Sequence, residues 1–223
     1  MASITITPRQ RDKLRRYTDV ISALDTLQNK RLVLLSPKLW DDKNDSFYIE
    51  QYGRRSAYQS MMALCLTAES ETYHHWKIFA EKTGVCIILH KRRFIEHCQT
   101  AGLECRPVVY RTNPAMTEKI IHDDIGDLPY LKRYAFRHEK EYRVIYGSIW
   151  ADQKTQDLSL PISLIHRIVV NPWTPQDLYV SFKELVQRIP GCEKVKVHRS
   201  LLTDNETWKD ALYLRQNDDV QAL

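Results

Sequence analysis

Glycine is scarce in this chain: six residues among 223. Loops that cradle phosphates need closely spaced glycines so that backbone can approach the anion. Neither G-x-x-x-x-G-K nor G-x-G-x-x-G occurs, which argues against a P-loop enzyme and against a doubly wound dinucleotide domain. Cysteine is sparse and odd in number: Cys65, Cys86, Cys98, Cys105 and Cys192, with no C-x-x-C pair. Reduced, structural thiols in the cytosol are expected, so the protein is expected to be cytoplasmic. No apolar run approaches the ~18 residues that span a bilayer. Residues 1–8 lack the basic stretch and apolar core of a secretory signal. There is no internal repeat, no H-E-x-x-H and no G-x-S-x-G elbow. His74 and His75 are adjacent, so on a helix their rings diverge by about 100° and share no metal. No metal is expected.

What remains is an ordinary soluble composition, 43 % apolar and 27 % charged. The net charge of +5 and a pI near 8.9 permit an anionic partner without requiring one. Bases concentrate weakly at residues 9–16, 91–93 and 132–143. No single stripe dominates, so solvated faces and a nucleic-acid footprint both fit.

The pattern predicts short alternating elements. Thr18 or Asp19 can cap a helix that carries Val20, Ile21, Leu24 and Leu27 at helical spacing. Residues 32–35 are a buried strand stopped by Ser36-Pro37. Residues 45–60 are helical and 61–66 a short apolar strand. Residues 69–82 form a helix with Tyr73, Trp76, Phe79 and Ala80 inward, ended by Thr83-Gly84, and 85–89 are another strand. A helix over 92–101, a strand over 106–111, a helix over 128–136 and a strand over 141–147 follow. Shorter strands at 158–161 and 168–170 precede an amphipathic helix, 175–188, closed by Pro190-Gly191. Residues 195–197 alternate like an edge strand, and 216–223 fray. About seven short strands interleaved irregularly with helices predict an α+β fold, a single domain over 1–223 built on a mixed sheet. The loop 147–156 is the only weak boundary.

The chemistry concentrates in Arg137-His138-Glu139-Lys140-Glu141-Tyr142-Arg143-Val144-Ile145-Tyr146, two acids and four bases at the mouth of a strand. Glu139, Glu141 and Arg143 alternate, which would place them on one strand face. Two arrangements suit them: the rim of a site, or a structural ion-pair network with no chemistry. A third is a nuclease that holds a divalent metal on these acids. Asp41-Asp42-Lys43-Asn44-Asp45 lacks the glycine and distal glutamate of a calcium hand and suits a helix-capping turn.

Several of these motifs occur together in one bacterial family. Tyr17, then Arg31-Leu32-Val33-Leu34-Leu35-Ser36-Pro37, then an acidic turn at Trp40-Asp41-Asp42-Lys43-Asn44-Asp45 open the pattern. His75-Trp76-Lys77-Ile78-Phe79-Ala80, Gly84-Val85-Cys86-Ile87-Ile88-Leu89, Val108-Val109-Tyr110 and Glu139-Lys140-Glu141-Tyr142-Arg143 continue it. Over residues 17–208 the chain resembles the family filed as domain of unknown function 2971. It departs at Trp40 and Ser46, where phenylalanine and proline are usual, and at Phe136, where tryptophan is usual. That family name carries no activity.

Glu139-x-Glu141 at a strand head is also similar to the Glu-x-Glu element of mono-ADP-ribosyltransferases. The resemblance implies an ADP-ribosyltransferase-like fold with NAD as substrate. Arg15 or Arg16 would pair with the diphosphate, a task suited to guanidinium. Tyr17 or Tyr110 would stack on nicotinamide, and Ser36 would hydrogen-bond the carboxamide or ribose. Glu141 would stabilise charge on the sugar carbon, with Glu139 orienting the acceptor or taking its proton. The acceptor would be nucleic acid or protein. The setting implied is a bacterial toxin or phage-defence effector, with a partner that neutralises it. Read without the resemblance, Arg15 and Arg16 are surface bases and Ser36 a turn residue. Tyr17, Trp76 and Tyr110 are then core aromatics, and the protein a non-enzymatic binding module.

Overall fold

A computed structural model describes residues 12–81, 83–113 and 124–210. The secretory-signal reading of residues 1–8, the bases before residue 12, Lys82 and the tail at 216–223 lie outside the described residues.

Eleven strands are present among them: β1 (Lys13–Asp19), β2 (Arg31–Leu35), β3 (Ser60–Thr67), β4 (Gly84–His90), β5 (Glu104–Pro107), β6 (Val109–Arg111), β7 (Leu131–Arg133), β8 (Glu141–Ser148), β9 (Thr155–Ser159), β10 (Ile165–Val170) and β11 (Val197–Arg199). Five α-helices lie wholly within the described residues: α1 (Val20–Asn29), α2 (Lys43–Arg55), α3 (Tyr73–Phe79), α4 (Lys91–Thr100) and α5 (Gln176–Arg188). The fold is α+β, with a nine-stranded mixed sheet and a separate pair, β6–β7. The main sheet is antiparallel except for β10–β11. One face packs on Leu27, Phe94, Phe182 and Val186 of α1, α4 and α5. The other carries a smaller core of Tyr17, Trp76, Ala80, Cys86, Ile88 and Val169 under α3.

The organising feature is β3. Thr67 pairs with Glu141 on β8 and with Arg15 on β1. Ala63 pairs with Ile145 on β8 and with Leu35 on β2. A residue in a ladder has one partner on each side, so β8 occupies one edge of β3, and β1 and β2 share the other. Each of the two meets β3 at a single residue pair. The sheet therefore splits along that edge.

Several elements differ from expectation for identifiable reasons. Residues 128–136 are not a helix. A 3₁₀ turn (Ile125–Tyr130), strand β7 and a second 3₁₀ turn (Tyr134–Glu139) take their place. Pro129 has no N–H and blocks a helical ladder. The strand expected over 106–111 is two strands in different sheets, because Pro107 ends β5 and the chain then leaves to pair β7. α2 ends at Arg55, where left-handed Ala57 (φ 59°) reverses the chain into β3. α3 is shorter than expected because Thr72 caps it, its Oγ1 accepting from His75 N at 3.1 Å. Trp76 and Ala80 are buried, but Tyr73 and Phe79 are exposed, as is Ile21 on α1. Gly191 adopts φ 86° just beyond α5, a left-handed position that glycine tolerates.

Candidate functional site

The site is assembled by register. Arg15, Thr67 and Glu141 lie directly opposite one another on β1, β3 and β8. Opposed residues of antiparallel strands point to the same face, so all three side chains emerge together, spread over about 10 Å. Just past Arg15, β1 leaves β3, and a cleft of about 910 Å³ opens there. Arg15, Arg16 and Tyr17 line one wall, and Cys65, Leu66, Thr67, Glu139 and Glu141 line the other. Trp40, Asp45, His75, Phe79, Lys132 and Phe136 are also among its lining residues.

Glu141 begins β8, with its backbone N–H donating to Tyr110 Oη at 2.8 Å and its carbonyl accepting from Val108 N at 2.9 Å. Arg143 follows two residues later on the same face and is wholly buried. Its Nε donates to Glu141 Oε1 at 2.6 Å and its Nη2 to Oε2 at 3.0 Å, a bidentate pair. Nη2 also reaches Asp45 Oδ2 at 2.5 Å, and Nη1 donates to the Pro129 carbonyl at 2.8 Å. Lys132 of β7 adds a second cation, 2.9 Å from Glu141 Oε2, 2.5 Å from Glu139 Oε2 and 3.6 Å from Asp45 Oδ2. Three carboxylates thus share two cations.

Glu139 is not on the strand face with Glu141 and Arg143. It closes the preceding 3₁₀ turn, and left-handed Lys140 (φ 43°) turns the chain into β8. Glu139 and Glu141 nevertheless meet at Lys132. The Glu139 carbonyl accepts from Thr67 Oγ1 at 2.5 Å, which ties the turn to the middle of the row.

Their environments push the two acids apart. Burial would raise the Glu141 carboxyl, but the charge and hydrogen bonds of Arg143, with Lys132 behind them, hold it down to about 2. Burial and the charges of Glu141 and Asp45 raise Glu139 despite Lys132. Burial also raises Asp45 against the pull of Arg143. Divergent pKa values in neighbouring acids are how one site holds a fixed anion beside a proton acceptor.

The basic wall behaves differently. Arg15 is only 6 % exposed, and its Nε and Nη1 have no hydrogen-bond partner. A buried guanidinium with unmet donors is costly unless an acceptor arrives. Arg16 is engaged: its Nη1 donates to the Cys65 carbonyl at 3.1 Å, across the gap where the strands separate. Tyr17 is buried, stacked on His75 at 5.4 Å and edge-on to Trp76 at 5.0 Å. His75 Nδ1 pairs with Thr72 Oγ1 at 2.5 Å, while its enclosed Nε2 has no partner.

Of the residues singled out in the sequence, the cleft brings together Arg15, Arg16, Tyr17, Glu139 and Glu141. Ser36 is not among the lining residues. It precedes a 3₁₀ turn (Pro37–Leu39), and its N–H donates to the Lys154 carbonyl at 3.1 Å. Tyr110 does not line the cleft either but holds the Glu141 backbone from beneath. Asp45, Lys132, Thr67 and His75 escaped sequence reasoning. A signal existed for Asp45: it shares a buried helical face with Ile49 and Gly53, at spacing four and eight, so a carboxylate pointed inward. Asp42, beside it, is the helix cap, accepting from Asn44 N and Asp45 N.

No protein-family model matches the chain, and no curated protein matches it. Among solved structures it is similar to DarT of Thermus sp. 2.9. The complex with NAD+ is 11 % identical over 85 % of this chain and 96 % of that one, with a TM-score of 0.44. The complex with ADP-ribosylated ssDNA is 12 % identical over 86 % and 95 %, with a TM-score of 0.43. The complex with carba-NAD+ is 12 % identical over 85 % and 96 %, with a TM-score of 0.42. These similarities are remote, and the chemistry of the cleft rests on its own geometry.

Proposed function

We propose that the cleft binds NAD and that the protein transfers ADP-ribose from it to a macromolecule. The observation that carries this reading is the row Arg15–Thr67–Glu141 at the mouth of one cleft. An unsatisfied buried guanidinium stands at one end and a carboxylate held ionised at the other. Arg15 suits the diphosphate, and the aromatic wall of Tyr17, His75 and Phe79 suits the nicotinamide. Transfer breaks the bond between the ribose anomeric carbon and the nicotinamide nitrogen, with the electron pair leaving on nicotinamide. The acceptor oxygen or nitrogen bonds to that carbon and loses a proton. Positive charge develops on the sugar carbon as the bond breaks, and Glu141, anionic at every physiological pH, is the group that stabilises it. Glu139, less exposed to cations and with a raised pKa, is the group that takes the acceptor's proton.

The positive balance of the chain suits an anionic acceptor, nucleic acid among them. A cytoplasmic bacterial toxin or phage-defence effector, held in check by a neutralising partner, is the setting such an activity fits. A nuclease mechanism fits the geometry poorly: the point on which Asp45, Glu139 and Glu141 converge is filled by the Lys132 ammonium.

A second reading has one observation in its favour. Both Glu141 oxygens are already engaged by Arg143 and Lys132, as in a purely structural network. The two separate by assay. Titration calorimetry should show NAD binding to the wild type. Labelled NAD should modify nucleic acid or a component of cell extract. Glu141→Gln should lower transfer by about 10²–10³-fold, the usual cost of losing one group that stabilises a transition state electrostatically. A wild type that neither binds NAD nor transfers label leaves the structural network as the sole reading.

A further inference from the structure

The sheet register assembles a basic surface that the linear sequence disperses. Lys13 of β1 lies opposite His90 of β4, its Nζ 3.0 Å from His90 Nδ1. The His90 ring meets His166 of β10 with centroids 5.1 Å apart. One step along the strands, Arg15 lies opposite Ile88, and Ile88 opposite Arg167. Lys196 sits beside that row, its carbonyl accepting from Ile168 N at 2.8 Å. One step further, Tyr17, Cys86, Val169 and His198 are aligned across four strands. Trp76 and Ala80 at α3 pack over Tyr17, Cys86 and Val169. Arg167, Lys196 and His198 remain exposed, and Lys13, His90 and His166 half-exposed.

These six are all bases. Asp12 is an acid beside His90. Burial, reinforced by Lys13, His90, Arg167 and Lys196, pushes His166 down to about 4. Burial and the cations Arg167, Lys183 and Lys196 likewise lower His198. The positive charge of the surface is therefore carried by Lys13, Arg167 and Lys196, whose nearness holds the three imidazoles toward the neutral, hydrogen-bonding form. It spans three inter-strand steps, roughly 14 Å from β1 to β11. A single strand lying across it brings more than one phosphate within reach of these cations. It is also continuous with the cleft, because Arg15 belongs both to the cleft wall and to the same sheet face.

We infer that this face, from Lys13 across His90, His166 and Arg167 to Lys196 and His198, is where a single-stranded nucleic-acid acceptor lies. Its bases are thereby led toward Glu139. A single strand is required because a base stacked and paired in a duplex cannot enter the cleft. The destination of the base rests on the transferase reading, whereas binding to the face does not.

The test uses the full chain, a short fluorescein-labelled single-stranded oligonucleotide and fluorescence anisotropy over a series of salt concentrations. Arg167→Gln/Lys196→Gln, both on the exposed surface, should weaken binding about tenfold or more. The same variant should flatten the log–log salt dependence by about 1.4, as expected for two lost phosphate contacts on a single strand. Calorimetry on the same preparations should show NAD binding unchanged. The inference is overturned if the wild type does not bind the oligonucleotide, or if the double variant binds it with unaltered affinity and salt slope. Equal binding of polyglutamate of matched charge also overturns it. If the oligonucleotide behaves as expected while NAD fails to bind, the surface stands and the transferase reading falls.

Discussion

Arg143 is the residue on which the site depends most. It is wholly buried and binds Glu141, Asp45 and the Pro129 carbonyl together. Removing one partner of a buried pair leaves the other charge uncompensated, which costs more than the pair itself contributed. Arg143→Ala should therefore destabilise the fold by about 3–5 kcal/mol, measured by urea denaturation. Glu141 makes a pH-dependent contribution. Its pKa falls from 4.5 unfolded to about 2 folded, so its stabilisation is complete above about pH 4.5 and is lost as the pH drops toward 2. Glu139 and Asp45, both raised, act in the opposite sense and lose stabilisation as pH rises through their folded values. Glu141→Gln should flatten the acid limb of the stability profile between pH 4.5 and 2. An unchanged acid limb would show that Glu141 is not held as its contacts indicate.

At the scale of elements, the apolar strands were legible, but the polar strands β1 and β7 and the turns were not. Val85-Cys86-Ile87-Ile88-Leu89 and Met61-Met62-Ala63-Leu64-Cys65-Leu66 are apolar runs buried on both faces, and β4 and β3 form there. Glu139 and Glu141 were legible as neighbours, but not that a 3₁₀ turn and a left-handed lysine would bring them to a common cation. Lys132 was invisible for a related reason. Its segment has helical spacing, and only the proline at 129 betrays the strand that aims it at the acids. Arg15 could be named as a candidate. Its opposition to Thr67 is a long-range pairing that no local pattern encodes. Close packing between elements gives a test. A Cβ on Gly84 would fall 2.2 Å from the Ala80 carbonyl oxygen, where β4 begins beside the end of α3. Backbone cannot yield as a flexible side chain does, so Gly84→Ala should cost about 1–3 kcal/mol and disturb Trp76, which packs against Tyr17. A thermal melt and the tryptophan emission spectrum would report both.

At the scale of the molecule, the sheet is one surface with a deliberate gap. Because β1 and β2 share an edge of β3, two parts of the sheet meet the central strand without meeting each other, and the cleft occupies the space between β1 and β3. A ligand seated there bridges the two walls and favours the folded state by mass action. NAD at a hundred times its dissociation constant should stabilise the protein by about 2.7 kcal/mol, visible as a raised melting temperature. The increment should be absent from Arg15→Ala if the guanidinium holds the diphosphate. The row Arg15–Thr67–Glu141 has a further consequence for how such a protein can change over generations. Its alignment belongs to the peptide ladder and owes nothing to the identity of the three side chains. A lineage can exchange the base or the hydroxyl one at a time, and each newcomer inherits the same address and the same neighbours; the acid changes only together with Arg143, its buried partner. New chemistry can arise at this cleft by substitution alone, with no new fold to discover.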